Sequence, residues 1–411
     1  MKVLWITNIM MPAICAAMDE PVPATGGWMS SSLNRLLKDS SIEIAVATVY
    51  SGKEYLRKEI DGVVYYLLPL SGKSMDKYHS FLERYWQTVK DDFVPDVVHV
   101  HGSEYPHGLA YVKANGPRGV VVSLQGIISS IARYYASGID FTSVKKYLTF
   151  RDFIKHGGIL RGQKSFIKRG KEEIELLKRV NHIIGRTDWD KAHAWAINPQ
   201  AQYHYCGETL RDTFYKHKWD YSKCEPHSIF VSQASYPIKG LHMLLKALPL
   251  ILRKYPDTKV YVAGSDPTSL PFWRITSYGK YILGLIQKLN IREHIHFTGS
   301  LDEEAMCQRY LQSNVFVCCS SIENSPNSLG EAQLLGMPYV ASFVGGVPEI
   351  VNWNSDVLYR FDEYEMLAKK ICAVFENKDK FKDISNLSRY DGEQNSNDLL
   401  QIYTYINRIS Y

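Results

Sequence analysis

The chain is 411 residues long, 45% hydrophobic and 22% charged, with a net charge of +5. These values describe a folded, water-facing protein of two or three domains, and the charge is too mild to suggest nucleic acid. No apolar run nears the roughly 18 residues of a spanning helix, and seven cysteines without a C-x-x-C pair speak against a disulfide framework or structural zinc and for reduced thiols in the cytoplasm.

Lys2–Asn8 reads as a first strand, its apolar run too short for a signal peptide. A loop over Ile9–Thr25 carries three prolines, and Gly26-Gly27 opens a helix, Trp28–Lys38, with Leu33, Leu36 and Leu37 on one face. A strand-to-helix loop of this length points to a functional segment. Strands follow at Ile42–Val49, Val63–Leu68, Pro95–His101 and Gly119–Leu124. The β/α alternation argues for a parallel sheet with helices on both faces. Ligands of such sheets bind beyond the C-terminal strand ends, which puts His101-Gly102 and Gln125-Gly126 on one rim. A histidine at a strand end is either hydrogen-bonded in place or able to titrate near neutral pH. Glutamine keeps a donor and an acceptor but cannot titrate.

From 143 to 179 the character changes. Eleven Lys and Arg stand against four acidic residues, leaving a local charge of +7, with Tyr147, Leu148, Phe150, Phe153, Ile154, Leu160 and Ile167 among the interleaved apolar residues. Such a run is either a set of solvated helices or a face for anionic lipid headgroups or a lipid-diphosphate acceptor. Asn181–Gly185 is a short strand, with Arg186 at its mouth and Thr187 or Asp188 as the cap of the next helix. The one D-x-D triplet, Asp188-Trp-Asp190, thus reads as a helix start rather than a divalent-ion site. Tyr203–Cys206 closes a first domain over 1–206, and 207–227 is a polar linker.

A second domain, 228–389, starts with the strand Ser228–Ser232. Then come Lys239-Gly240 and a helix with Leu241, Leu244, Leu245, Leu248, Ile251 and Leu252 at helical spacing. Lys259–Ala263, His294–Thr298 and Val315–Cys319 read as further strands, and Glu303–Gln312 and Glu363–Glu376 as helices. The tail has a last helical segment, Ser396–Ile409.

After Val315–Cys319 two carboxylates stand eight positions apart, Glu323 and Glu331. Glu323 falls at the strand's mouth and Glu331 in the first turns of a helix over Leu329–Gly336. Pro326-Asn-Ser328 looks like the helix start, with Asn327 and Ser328 accepting from first-turn amides. Free N–H groups and the positive end of the helix dipole then make a seat for phosphate. A carboxylate on each side of that seat suits a ligand with hydroxyls at both ends of a diphosphate, which describes a nucleotide sugar.

The pattern Glu323, Glu331, Ala332, Gly336, Pro338, Ala341, Ser342, Gly345, Gly346, Pro348, Glu349 resembles the family 4 glycosyltransferases (glycosyl transferases group 1), retaining enzymes with the GT-B fold. Eleven fixed positions in 27 residues make a specific signal. The resemblance implies an α/β protein of two Rossmann-like, doubly wound parallel-sheet domains facing a cleft, an acceptor domain and a donor domain. The tail from about 390 to 411 would pack back on the first. It implies that Glu331 holds the ribose, Glu323 the donor sugar, and Lys239 the diphosphate. Ser325, Pro326, Asn327, Ser328 and Leu329 would line the nucleotide, and Gly26-Gly27 the diphosphate and acceptor.

Two positions depart from the pattern. Gln125 stands where the family has a histidine facing the transferred sugar, with His101 nearby as a candidate replacement. Gln233 stands where it has an arginine on the diphosphate, and Arg186 is the expected compensation. No metal and no cofactor is implied, the nucleotide sugar (UDP- or GDP-linked) being a substrate. The acceptor class is a glycan or lipid-linked glycan of a bacterial-type capsule, exopolysaccharide or lipopolysaccharide, made in the cytoplasm or peripherally on the inner membrane face. Two other readings fit the same residues: a nucleotide-sugar epimerase, and a non-catalytic partner of a sister transferase, the latter motivated by Gln125 and Gln233.

Overall fold

A computed structural model of the chain describes residues 1–23, 26–154, 158–377 and 387–410. The chain divides into two compact units. The first comprises Met1–Ser130, Phe166–Leu210 and Ser388–Tyr411; the second comprises Ile131–Ser165 and Arg211–Leu387. This division departs from a first domain running unbroken over 1–206. The segment 131–165 clusters with the second unit, and Arg211 onward belongs there too, inside the expected linker.

The first unit is built on eight strands: β1 (Lys2–Thr7), β2 (Glu43–Tyr50), β3 (Leu56–Ile60), β4 (Val63–Pro69), β5 (Val97–His101), β6 (Val120–Ser123), β7 (His182–Gly185) and β8 (Gln202–Tyr205). Their order is β3-β4-β2-β1-β5-β6-β7-β8, parallel throughout except the β3–β4 hairpin at the edge. Successive side chains of a strand point to opposite faces. Leu4 and Ile6 therefore enter one core with Ala45, Ala47 and Trp86, while Val3 and Trp5 enter the other with Ile44, Val46 and Leu36. Both faces are apolar, so both must be covered. The tail, Gly392–Ser410, supplies part of the second cover through Leu399, Ile402, Tyr403 and Ile406. The loop expected over Ile9–Thr25 contains a short helix, Pro12–Ala17; positions 24–25 lie outside the described residues.

Among the described residues the second unit has six strands: β9 (Ser228–Val231), β10 (Lys259–Val262), β11 (Ile295–Phe297), β12 (Val315–Cys318), β13 (Tyr339–Ser342) and β14 (Leu358–Tyr359). All pair in parallel in the order β11-β10-β9-β12-β13-β14. That is the doubly wound order 3-2-1-4-5-6, which reverses direction between its first and fourth strands. The crevice of such a sheet opens past the ends of β9 and β12.

Candidate functional site

Two loops flank that crevice. One follows β9 and passes through the 3-10 turn Pro237–Lys239 before the helix Leu241–Leu252. The other follows β12 and ends at the helix Asn327–Leu335. Their backbones are stitched together: Ser321 N donates to Ile238 O at 2.7 Å, and Cys319 Sγ to Lys239 O at 3.3 Å. Two glycines make close approaches feasible, one between these loops and one where the loop after β13 meets the loop after β12. Gly240 has φ +71°, and a Cβ there would stand 1.7 Å from Cys319 O. Gly345 has φ +52°, and its Cβ would stand 1.9 Å from Glu323 O, which accepts instead from Gly346 N at 3.1 Å. Only glycine fits both the left-handed backbone and the space.

This framework brings Lys239 and Glu323 into contact. Lys239 Nζ donates to Glu323 Oε1 at 2.6 Å, and Ser320 Oγ donates to the same oxygen at 2.7 Å. Both side chains keep a solvent-facing part, 20% and 15% of their surfaces. Burial works to lower the ammonium's pKa, but the Glu323 carboxylate and Tyr236 more than reverse it, and the net shift is upward. Lys239 is therefore a fixed cation.

Glu331 sits one turn into the next helix, 3% exposed. Arg211 Nε and NH2 donate to its two oxygens, each at 2.7 Å. Burial works to lower the Arg211 pKa and Glu331 more than offsets it, so the guanidinium stays charged. Arg211 was missed in the sequence, where it falls in the polar stretch taken as a linker, 120 residues from its partner. No local spacing marks it.

The helix start also differs from expectation. Pro326 is the N-cap, in extended backbone, and no side chain caps the helix. Asn327 and Ser328 are its first two helical residues rather than its caps. Ser325, Pro326, Asn327 and Ser328 are half-buried and Leu329 is fully buried. A helix begun by a proline without a side-chain acceptor leaves its first amides for another acceptor. Gln233 lies exposed on the loop after β9.

The remaining candidates belong to the first unit. Gly26, φ +87°, is the N-cap of the helix Gly27–Leu36, and a Cβ on it would meet Ile9 Cδ1 at 2.1 Å. His101 is the last residue of β5 and only 4% exposed. Its ring lies 4.2 Å from Trp5 and 3.8 Å from His99, and neither ring nitrogen has a hydrogen-bond partner among the described residues. Burial, then His99 and Arg186, push its pKa well below 6.5. A neutral, packed imidazole is the result, not a titrating group on an open rim. Gln125 is half-buried beside Gly102. Arg186 is 5% exposed, paired with Glu208 at 3.3 Å and donating to Leu124 O at 2.7 Å. The guanidinium expected to compensate for Gln233 is thus engaged with groups of the first unit. Asp188 and Asp190 do begin a helix: Thr187 caps it, accepting from Asp190 N in a capping box.

At the same rim the sequence reading overlooked Glu104. Its Oε1 accepts from Gly126 N at 2.9 Å, and its Oε2 would meet a Cβ on Gly102 at 2.4 Å. Its pKa is raised from 4.5 to about 7: burial raises it most, and Glu173 adds to this against hydrogen bonds from backbone amides and the charge of Arg169.

Residues 213–390 match the family described as Glycosyl transferases group 1. A stretch of 190 residues is 28% identical to Spore coat protein SA of Bacillus subtilis, covering 43% of this chain and 48% of that protein. Another of 122 residues is 30% identical to the GDP-mannose-dependent alpha-(1-6)-phosphatidylinositol monomannoside mannosyltransferase of Mycolicibacterium smegmatis, covering 28% and 29%. The chain thus spans about half or less of the length of these relatives. Among solved structures, Anabaena Alr3699/HepE in complex with UDP-glucose superposes with a TM-score of 0.62 at 14% identity, over 99% of this chain and 98% of that one. The fold is GT-B, two Rossmann-like parallel-sheet units.

Proposed function

We propose that the chain is a retaining glycosyltransferase that moves a sugar from a UDP- or GDP-linked donor to a glycan or lipid-linked acceptor in surface polysaccharide synthesis. The observation that carries this is the Lys239–Glu323 pair at the point where the second sheet reverses, beside an uncapped helix N-terminus. The match of residues 213–390 supports the same reading.

In this reading the donor diphosphate takes Lys239 and the amides at Asn327 and Ser328. A cation and a helix dipole aimed at the leaving group stabilise the charge that develops as the anomeric C–O bond breaks, without a metal. Glu323, released from Lys239, accepts hydroxyls of the donor sugar. Glu331, held flat by Arg211, offers its outer lone pairs to the ribose. The acceptor oxygen attacks from the face the diphosphate leaves, and its proton passes to the departing phosphate oxygen. No enzymic nucleophile takes part, and the configuration is kept.

A thermal-shift screen of UDP-, GDP- and ADP-sugars tests the donor, since a ligand of the native state raises the melting point by mass action. One nucleotide class is expected to stabilise the protein and Lys239→Ala to lose the shift. No stabilisation by any of them would overturn the reading. Proton NMR of the product with the matched donor reads the anomeric configuration.

A further inference from the structure

The basic stretch 143–179 does not form one face. Its later part, in the helix Ile159–Arg179, sends Leu176 and Leu177 into the first unit's core and buries Glu173, which accepts from Ile128 N and Ser129 N. Glu175 pairs with Lys113 and Arg179. Lys155 lies outside the described residues. What remains is in the second unit, where Leu148, Phe150 and Ile154 are all more than half exposed.

A second exposed group lies far away in sequence. In the loop before the helix Ser277–Leu289, Phe272 is 75% exposed and Trp273 56%, their rings edge to face at 5.2 Å, with Leu270 exposed beside them. The helix joins the two groups. Ile159 N donates to Ser277 Oγ at 3.1 Å, Lys280 Nζ donates to Leu148 O at 3.1 Å, and Tyr147 packs edge-on against Tyr281 at 5.4 Å. Both apolar groups are thus anchored on the first turns of one helix, within one unit.

The surrounding charge is mainly basic. Lys145, Lys146, Lys164 and Arg274 are exposed. Against them, Asp152 is buried and accepts from Thr149 N, Asp266 pairs with Arg292, and Asp140 is exposed and caps the helix Phe141–Lys146. Clustered exposed apolar side chains mark a contact surface. Tryptophan and phenylalanine flanked by lysine are the side chains that settle at a bilayer interface, rings among the acyl boundary and ammoniums among the headgroups.

We propose that this face of the second unit, Leu148, Phe150 and Ile154 with Leu270, Phe272 and Trp273, docks the protein on an anionic phospholipid bilayer. The proposal deepens the reading of a lipid-linked acceptor, yet vesicle binding is measured without any donor, so its failure leaves sugar transfer untouched.

The test is co-sedimentation of the full chain with phosphatidylcholine vesicles, with and without phosphatidylglycerol. Binding is expected only with the anionic lipid and is expected to weaken as salt screens the lysines. Phe272→Ser with Trp273→Ser should weaken it roughly tenfold or more, and Lys145→Glu with Lys146→Glu should weaken it at low salt. These side chains are exposed, so donor-induced thermal shifts should survive both pairs. No binding to anionic vesicles, or binding that neither pair alters, overturns the proposal. So does concentration-dependent self-association that the aromatic pair abolishes while vesicles go unbound, which would make the face a contact between copies.

Discussion

Lys239 and Glu323 hold each other at 2.6 Å, and on the proposed reading donor binding divides them, the ammonium turning to phosphate and the carboxylate to sugar hydroxyls. Lys239→Ala removes a charge-assisted contact and should cost the donor about 1.5–3 kcal/mol, roughly 10- to 100-fold in affinity, read by calorimetric titration. Glu323→Gln separates binding from turnover. It frees Lys239, so free nucleoside diphosphate should bind at least as tightly while sugar transfer falls; an unchanged transfer rate would remove Glu323 from the mechanism. Arg211 and Glu331 form a buried pair, and breaking one side of such a pair is costly. Arg211→Met should destabilise the second unit by about 3–5 kcal/mol in urea unfolding. Glu104 predicts a pH dependence. Between its ordinary pKa of 4.5 and its native value of about 7 the folded chain binds more protons there than the unfolded chain. Stability therefore falls as pH rises through that window, by up to about 3 kcal/mol. Glu104→Gln should flatten that part of the stability–pH curve. Lys239 stood out only through the family resemblance, whereas the placement of the two motif carboxylates was legible because each lies at a set distance from a strand end. Arg211 was not, because its role depends on a partner 120 residues away. Nor was the burial of His101, since strand alternation does not tell a covered face from an open rim.

At the scale of elements, the loops after β9 and after β13 each meet the loop after β12 backbone to backbone. Gly240→Ala or Gly345→Ala asks for a Cβ within 2 Å of a carbonyl oxygen at positive φ. The left-handed conformation alone costs about 1–2 kcal/mol, and the loop must also shift. Either change should lower the melting temperature and weaken donor binding, whereas alanine at Gly72, which has open space around it, should spare donor affinity. Equal effects at Gly72 and Gly345 would show that the close approach is unimportant. Most of the parallel strands are readable as apolar runs, since central strands covered on both faces carry little else, but the short β13 and β14 are not. β3 escaped notice because Leu56-Arg-Lys-Glu-Ile60 is an edge strand whose alternating charges face water. The helix at Asn327 was placed two residues late because Asn and Ser are favoured caps, and here proline takes that position instead.

The whole molecule is one chain threaded through two separately packed units. It leaves the first unit after Ser130, again after Leu210, and returns at Ser388. The last helix is therefore core to a sheet whose first strand is the chain's beginning. Tyr403 shows how tightly. It is fully buried, its hydroxyl accepts from Trp5 Nε1 at 3.0 Å, and it lies 2.6 Å from His99 Nδ1. The helical tail was readable from its apolar spacing, whereas its tie to Trp5, 398 residues away, has no sequence signature. Tyr403→Ala should remove about 3–5 kcal/mol from the first unit, from the cavity and from the stranded Trp5 N–H and His99 Nδ1 together. Lys239, Glu323, Arg211 and Glu331 all lie in the second unit. Under conditions where the variant remains folded, nucleoside diphosphate affinity should stay at the wild-type value although the urea midpoint drops. A parallel loss of affinity would mean that the donor site is not carried by the second unit alone.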